Sequence, residues 1–147
     1  MTSEPIAFEM FNEIGIIDQL ASNMFAQALP SGMTIAQFTV LNHFVRLNVD
    51  EKSPAALASA FQITRATMTS TLGRLEKAGL VMIRPDPKDG RAKLVSLMPA
   101  GRVMRQTCID AIAPLVPQIE AIIARQDIAT ILPLLRKMRV ALDALRD

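Results

Sequence analysis

Apolar residues recur at three- and four-residue steps from Ile6 through Met10, Ile14, Ile17, Leu20 and Met24 to Ala28, which predicts a helix over residues 6–29. Phe8, Phe11, Ile16, Phe25 and Leu29 widen that stripe, and a helix so apolar must be covered on more than one side. Pro30-Ser31-Gly32 ends it. Thr34-Ile35-Ala36-Gln37 is a capping-box pattern that opens a helix to about Leu47, with Phe38, Leu41 and Val45 inward. Ser53 followed by Pro54 opens a short helix to Ala60 that buries Leu57. After the turn Phe61-Gln62-Ile63, Thr64 caps a helix that runs to Ala78 and is stopped by Gly79.

The pattern then changes period. Leu80-Val81-Met82-Ile83 and Lys93-Leu94-Val95-Ser96-Leu97 read as the one clear strand pair, and the two prolines and Asp-Gly pair of residues 84–91 make a hairpin tip. Pro99 reopens a helix to about Arg125, in which Pro114 and Pro117 predict a kink or break. Asp127 is expected to cap a last helix to about Leu145, with Pro133 near its first turns. The fold class is therefore mainly α with a small β-hairpin. A short helix, tight turn, helix and basic hairpin in that order form a winged helix-turn-helix, here flanked by N- and C-terminal helices. We expect a single domain over 1–147, with the winged module at 31–101 and helical flanks at 1–30 and 102–147.

Composition adds two constraints. Half of the residues are apolar, high for a soluble monomer, so part of that surface is expected to be hidden in an oligomer. The uncharged run Gln19–Val45 is interrupted by polar residues, Pro30 and Gly32, which argues against a membrane span, and MTSEPIAFEM lacks the pattern of a signal peptide. A cytoplasmic location is the expectation. One cysteine, Cys108, and one histidine, His43, exclude an internal disulfide and the usual zinc clusters. Neither a Gly-rich phosphate loop nor a nucleophile–base arrangement is found, so we expect no enzyme, metal or cofactor.

Charge changes the picture more. The net +2 conceals −4 over residues 1–61, +6 over 62–105 and zero over 106–147. A basic block inside a near-neutral chain is the footprint of a nucleic-acid partner, although a solvated basic face has the same composition.

On the helix from Thr64, Met68, Leu72, Leu75 and Gly79 share the core side at ~100° per residue. Ala66, Ser70, Gly73 and Lys77 point away, flanked by Thr67, Thr69 and Arg74. Small residues let the backbone approach a partner, hydroxyls bond phosphates or base edges, and the helix N-terminus favours phosphate. Packing on another part of the protein is the plainer alternative. On the hairpin, Lys88, Arg91 and Lys93 place positive charge on a projection, where an arginine can enter a minor groove. Asp89 fits there if it pairs with Arg91 and aims the guanidinium, whereas a generic Asp-Gly turn is the simpler account.

The stretch Thr64–Val81, followed by Arg84-Pro-Asp-Pro-Lys-Asp-Gly-Arg-Ala-Lys-Leu-Val-Ser-Leu97 and Pro99-Ala-Gly101, resembles the MarR family of bacterial transcription regulators. Arg74–Val81 matches the family's Arg-Leu-Glu-x-x-Gly-Leu-Val phrase, and Asp89 with Arg91 matches its Asp-x-Arg wing. The resemblance is specific over about residues 34–101. It implies a winged-helix homodimer with the terminal helices as dimerisation region. It also implies binding to double-stranded DNA at pseudo-palindromic operators, recognition helix in the major groove and wing arginine in the minor groove. A small, often aromatic, effector releases many members from DNA. Met98 stands where the family usually has a capping threonine, implying a looser hinge, and Ser70 replaces a longer polar or basic residue.

The leading reading is thus a dimeric DNA-binding regulator, a repressor released by a small ligand. Arg65, Arg74, Lys77, Lys88 and Arg91 would meet phosphates or groove edges, Thr64, Thr67, Thr69 and Ser70 would add hydroxyls, and Asp89 would orient Arg91. The alternative is a winged-helix protein-interaction module without DNA binding. His43 reads as a hydrogen-bonded helix histidine rather than a ligand contact, and Cys108 as a small buried side chain rather than an oxidation sensor.

Overall fold

The capping residues set the starts of the central helices. In the computed structural model, which describes residues 4–146, α2 (Ile35–Leu47) opens with the full reciprocal box of Thr34 and Gln37. The Ser53 hydroxyl accepts the Ala56 N–H at the start of α3 (Pro54–Phe61), and Thr64 accepts the Thr67 N–H at the start of α4 (Arg65–Lys77). Before them runs α1 (Ile6–Ala28). Gly79, at φ +74°, closes α4: its N–H donates to Glu76 O and that of Leu80 to Leu75 O, the paired bonds of a Schellman turn.

The hairpin strands are β2 (Val81–Pro85) and β3 (Lys93–Leu97), in register Ile83 to Val95. A third strand, β1 (Glu51–Lys52), joins them in the order β1-β3-β2. Two residues carry no alternation, so the sequence pattern showed one strand pair only. Next comes α5 (Pro99–Ile112). The mainly helical winged helix-turn-helix architecture expected from the pattern is the one observed.

Compact packing divides the chain at Ile112/Ala113, inside the stretch read above as C-terminal helical flank. In the first unit, Val40, Leu41 and Phe44 of α2 pack with Leu57 and Ala58 of α3, Met68, Leu72 and Leu75 of α4, and Leu80, Val81 and Val95. The buried face of α2 is thus rotated from the expected one: Val40 and Phe44 are inside while Phe38 and Val45 are half-buried. On α4, Thr71 is buried and Gly79 exposed, because the Schellman turn swings the chain off the helix axis. α1 packs on α2 and α5 yet buries no residue fully, leaving Phe8, Phe11, Ile16, Ile17 and Leu20 exposed. Arg105 on α5 donates from Nε and Nη2 to Asn42 Oδ1 at 3.1 Å each, tying α5 to α2.

His43 corrects an expectation. It is 7% exposed, its ring meets Phe61 edge-on at 4.9 Å, and its Nε2 has no hydrogen-bond partner. The rotated face of α2 turns it toward the apolar end of α3. Burial lowers its pKa below the ordinary value, with Arg46 and Lys52 adding to the effect. Cys108 is fully buried and burial pushes its thiol pKa up, which suits an inert side chain.

The second unit holds a 3₁₀ turn (Ala113–Leu115), α6 (Val116–Ile122) and α7 (Arg125–Ala144). Pro114 lies in the turn and Pro117 near the start of α6, so the helix expected to reach Arg125 is broken, as its prolines require. Asp127 does not cap α7. Ala124 holds that position without a side-chain bond, and Asp127 lies in the first turn, where an acid suits the helix dipole. Pro133 sits within α7 without ending it. α7 leaves Leu132, Leu134, Leu135, Val140 and Leu142 exposed. Among the described residues, no single helix is long and apolar enough to cross a membrane.

Leu80 is where several elements join. Its carbonyl accepts the Met98 N–H at 3.0 Å, just before α5, and the Met98 carbonyl accepts the Arg102 N–H at 3.1 Å. Main-chain bonds therefore hold the entry to α5 at Met98. A Cβ on Gly101 would strike the Leu80 carbonyl oxygen and come within 2.7 Å of Leu97 Cδ1. Gly101→Ala should cost about 1–3 kcal/mol through this overpacking, read as a lowered urea midpoint with an unchanged slope.

Acid should also unfold the protein through His43. Below about pH 6.5 the unfolded chain takes up a proton that the buried imidazole resists, so stability falls as pH drops from there toward the lowered folded pKa. His43→Gln should lose less stability than the wild type between pH 7.5 and 5.5, measured by urea titration at each pH; equal losses would contradict this.

Candidate nucleic-acid interface

The helix-turn-helix begins with α3, passes Gln62 in the left-handed region at φ +53°, and continues into α4. With Met68, Thr71, Leu72 and Leu75 committed to the core, the opposite face of α4 is left to solvent. Arg65, Ala66, Thr67, Thr69, Ser70, Gly73, Arg74 and Lys77 are all exposed on it. A Cβ added at Gly73 would meet no atom within 4 Å, so this face is open. Thr64 is exposed too, but its hydroxyl donates to Thr67 Oγ1 at 2.9 Å as well as accepting the Thr67 N–H, so it works as the helix cap.

The hairpin tip is held by its own carboxylates. Asp86 Oδ1 accepts the Lys88 N–H at 2.9 Å, and Asp89 Oδ1 accepts the Arg91 N–H at 3.1 Å. Main-chain bonds from Asp86 N–H to Ala92 O and from Ala92 N–H to Asp89 O, both 3.0 Å, close the loop. Asp89 was expected to pair with the Arg91 guanidinium. Its hydrogen bond instead goes to the Arg91 main chain, because an Asx turn puts that amide nearer than any side-chain nitrogen. Lys88, Asp89 and Arg91 are exposed.

Arg65 and Thr69 of α4 and Asp89, Arg91 and Lys93 of the hairpin line one open concavity of about 530 Å³, floored by Leu72 and Ile83 and flanked by Ser53, Pro54 and Ala55. The structure thus brings four of the ten site candidates together. Thr64, Thr67, Ser70, Arg74, Lys77 and Lys88 lie outside this concavity, on α4 and the hairpin tip. Lys93 and Glu76 were absent from the candidates. Lys93 was legible as hairpin charge. Glu76 was not: its carboxylate accepts the Ile83 N–H of β2 at 3.0 Å, a contact seven residues away across a turn. Arg84 is drawn out of the basic set, because its guanidinium pairs with Glu51 of β1.

Residues 31–92, which contain all ten of the site candidates, match the model of the MarR family. This region resembles the MarR family and folds as a winged helix. The transcriptional activatory protein BadR of Rhodopseudomonas palustris (strain ATCC BAA-98 / CGA009) is 35% identical over 72 residues, covering 48% of this chain. The match spans only 41% of BadR. A mutant MarR from E. coli, solved in complex with operator DNA, superposes with a TM-score of 0.73 at 25% identity, over 88% of this chain and 93% of that one. Bordetella bronchiseptica BpsR, whose structure concerns regulation of its DNA binding by 6-hydroxynicotinic acid, superposes with a TM-score of 0.73 at 26% identity, over 89% and 98%. The chain has the fold of MarR-family transcriptional regulators. In MarR-family terms α4 is the recognition helix and the β2–β3 hairpin the wing.

Proposed function

We propose that the protein is a cytoplasmic, homodimeric regulator of transcription that binds double-stranded DNA at pseudo-palindromic operators and has no enzymatic activity. The observation that carries this reading is the convergence of Arg65 and Thr69 from the recognition helix with Arg91 and Lys93 from the wing around one open concavity. Two rigid projections carrying cations on one side suit a groove and its bordering phosphates. The remaining candidates extend the contact: Thr67, Ser70, Arg74 and Lys77 along the helix, and Lys88 beyond the wing. Thr64 contributes by capping the helix, and Asp89 by shaping the loop that carries Arg91. MarR crystallised on operator DNA supports the duplex as partner.

The homodimer draws on the apolar side chains that α1 and α7 each leave exposed, which a second copy would cover. Such a dimer sets its recognition helices about one DNA turn apart, ~34–36 Å. A small aromatic acid is proposed as the releasing ligand of a repressor, with BpsR as support. The name of BadR favours activation instead. Transcription in vitro from a template carrying the bound site decides between the two signs.

Arg91→Ala should weaken binding to a selected duplex about tenfold or more while leaving thermal unfolding unchanged, because the wing tip is exposed. The slope of log affinity against log salt should be steep and should shrink by about one in the variant. A wild-type protein with no affinity for duplex at low salt would leave the winged helix as a protein-interaction module.

A further inference from the structure

The junction between recognition helix and wing is closed twice. The main chain closes it through the Schellman turn at Gly79 and Leu80. Glu76 closes it again with its side chain, which reaches past the turn to the Ile83 N–H. β2 is an edge strand, bonded to β3 on one side only, so α4 supplies the hold on its other side. Ile83 also lines the concavity that Arg91 lines. The Asp86–Ala92 pair that closes the loop lies three residues beyond Ile83, about 10 Å at ~3.3 Å per residue, and Arg91 adjoins it, so a pivot at Ile83 displaces Arg91.

Electrostatics makes the residue conspicuous. Glu76 sits exposed between Arg74 and Lys77, where a carboxylate repels phosphate. Its acceptor oxygen does something a basic or apolar side chain at that position would not. We infer that Glu76 is a positioning residue, fixing the angle of the wing on the recognition helix so that Arg91 reaches the minor groove. This rests on the DNA-binding reading above.

The two effects of Glu76 carry opposite signs, and that separates them. Removing the charge alone should tighten DNA binding; removing the acceptor should loosen the wing. Glu76→Gln keeps an acceptor oxygen without the charge, and Glu76→Ala removes both. The full-length variants are compared by amide hydrogen exchange over residues 81–93 and by binding and hydroxyl-radical footprinting on a duplex that the wild type selects from a random-sequence pool. The expected result is faster exchange at Ile83 and across residues 86–92 in E76A. E76A should bind about tenfold or more weakly, the scale of one lost hydrogen bond to a charged group. Wing protection of the minor groove should vanish while recognition-helix protection remains. E76Q should bind at least as tightly as the wild type with normal exchange. E76A that exchanges and binds like E76Q overturns the assignment. If E76A fails to fold, E76K serves: charge alone would make it the tightest binder, and loss of the acceptor would erase its wing footprint. A wild type that selects no duplex removes the DNA reading, and exchange at Ile83 and the tip then decides the role of Glu76 by itself.

Discussion

Three elements meet on the main chain of Leu80. Its N–H closes the end of α4 on Leu75, its carbonyl receives Met98 ahead of α5, and its side chain enters the core beside Val81, the first residue of β2. Gly101 completes the joint by having no side chain to push α5 away. Buried main-chain groups must be paired, and here the pairing leaves a single way for helix, strand and helix to depart from one point. The recognition helix, the first strand of the wing and α5 therefore leave one joint in set directions, and the Glu76 bond to Ile83 holds the wing beyond it. Neither caps nor core packing would suffice alone: caps settle where helices begin, and packing settles which face turns inward, but the joint settles direction.

Much of this was legible because it is local. Ser53, Thr64 and the Thr34/Gln37 box act within four residues, so their chemistry can be read directly from spacing. Gly79 and the prolines at 114 and 117 declare themselves in the same way. What was hidden depends on contacts between distant residues or on small rotations. The two-residue β1 exists only because β3 offers it an edge. The phase of α2 slipped because its apolar residues are too many to define one face, and with it went the environment of His43. Asp127 has the chemistry of a cap but lies within the first turn of α7, where Ala124 holds the cap position. The basic face of α4 could be read from the helical repeat, whereas the Glu76 bond to Ile83 required knowing how the turn folds back.

The charge pattern also acquires a structure. The acidic stretch 1–61 and the basic centre are not independent reservoirs: Glu51 reaches from β1 to Arg84 on β2, bridging the two outer strands of the sheet. Both side chains remain partly exposed, so the pair contributes about 0–1 kcal/mol at most. Its larger effect is on where positive potential accumulates. With Arg84 paired to Glu51, the cations that line the concavity are Arg65 of α4 and Arg91 and Lys93 of the hairpin.

The wing tip divides holding from reading. Asp86 and Asp89 secure the loop entirely through main-chain amides, including those of Lys88 and Arg91, and make no demand on the side chains of those two residues. A lysine, arginine, glutamine or serine at either position would present the same amide to the same carboxylate. The loop is thus a socket that keeps its shape while its contents are exchanged, so single substitutions at either position change what the wing presents without having to refold it.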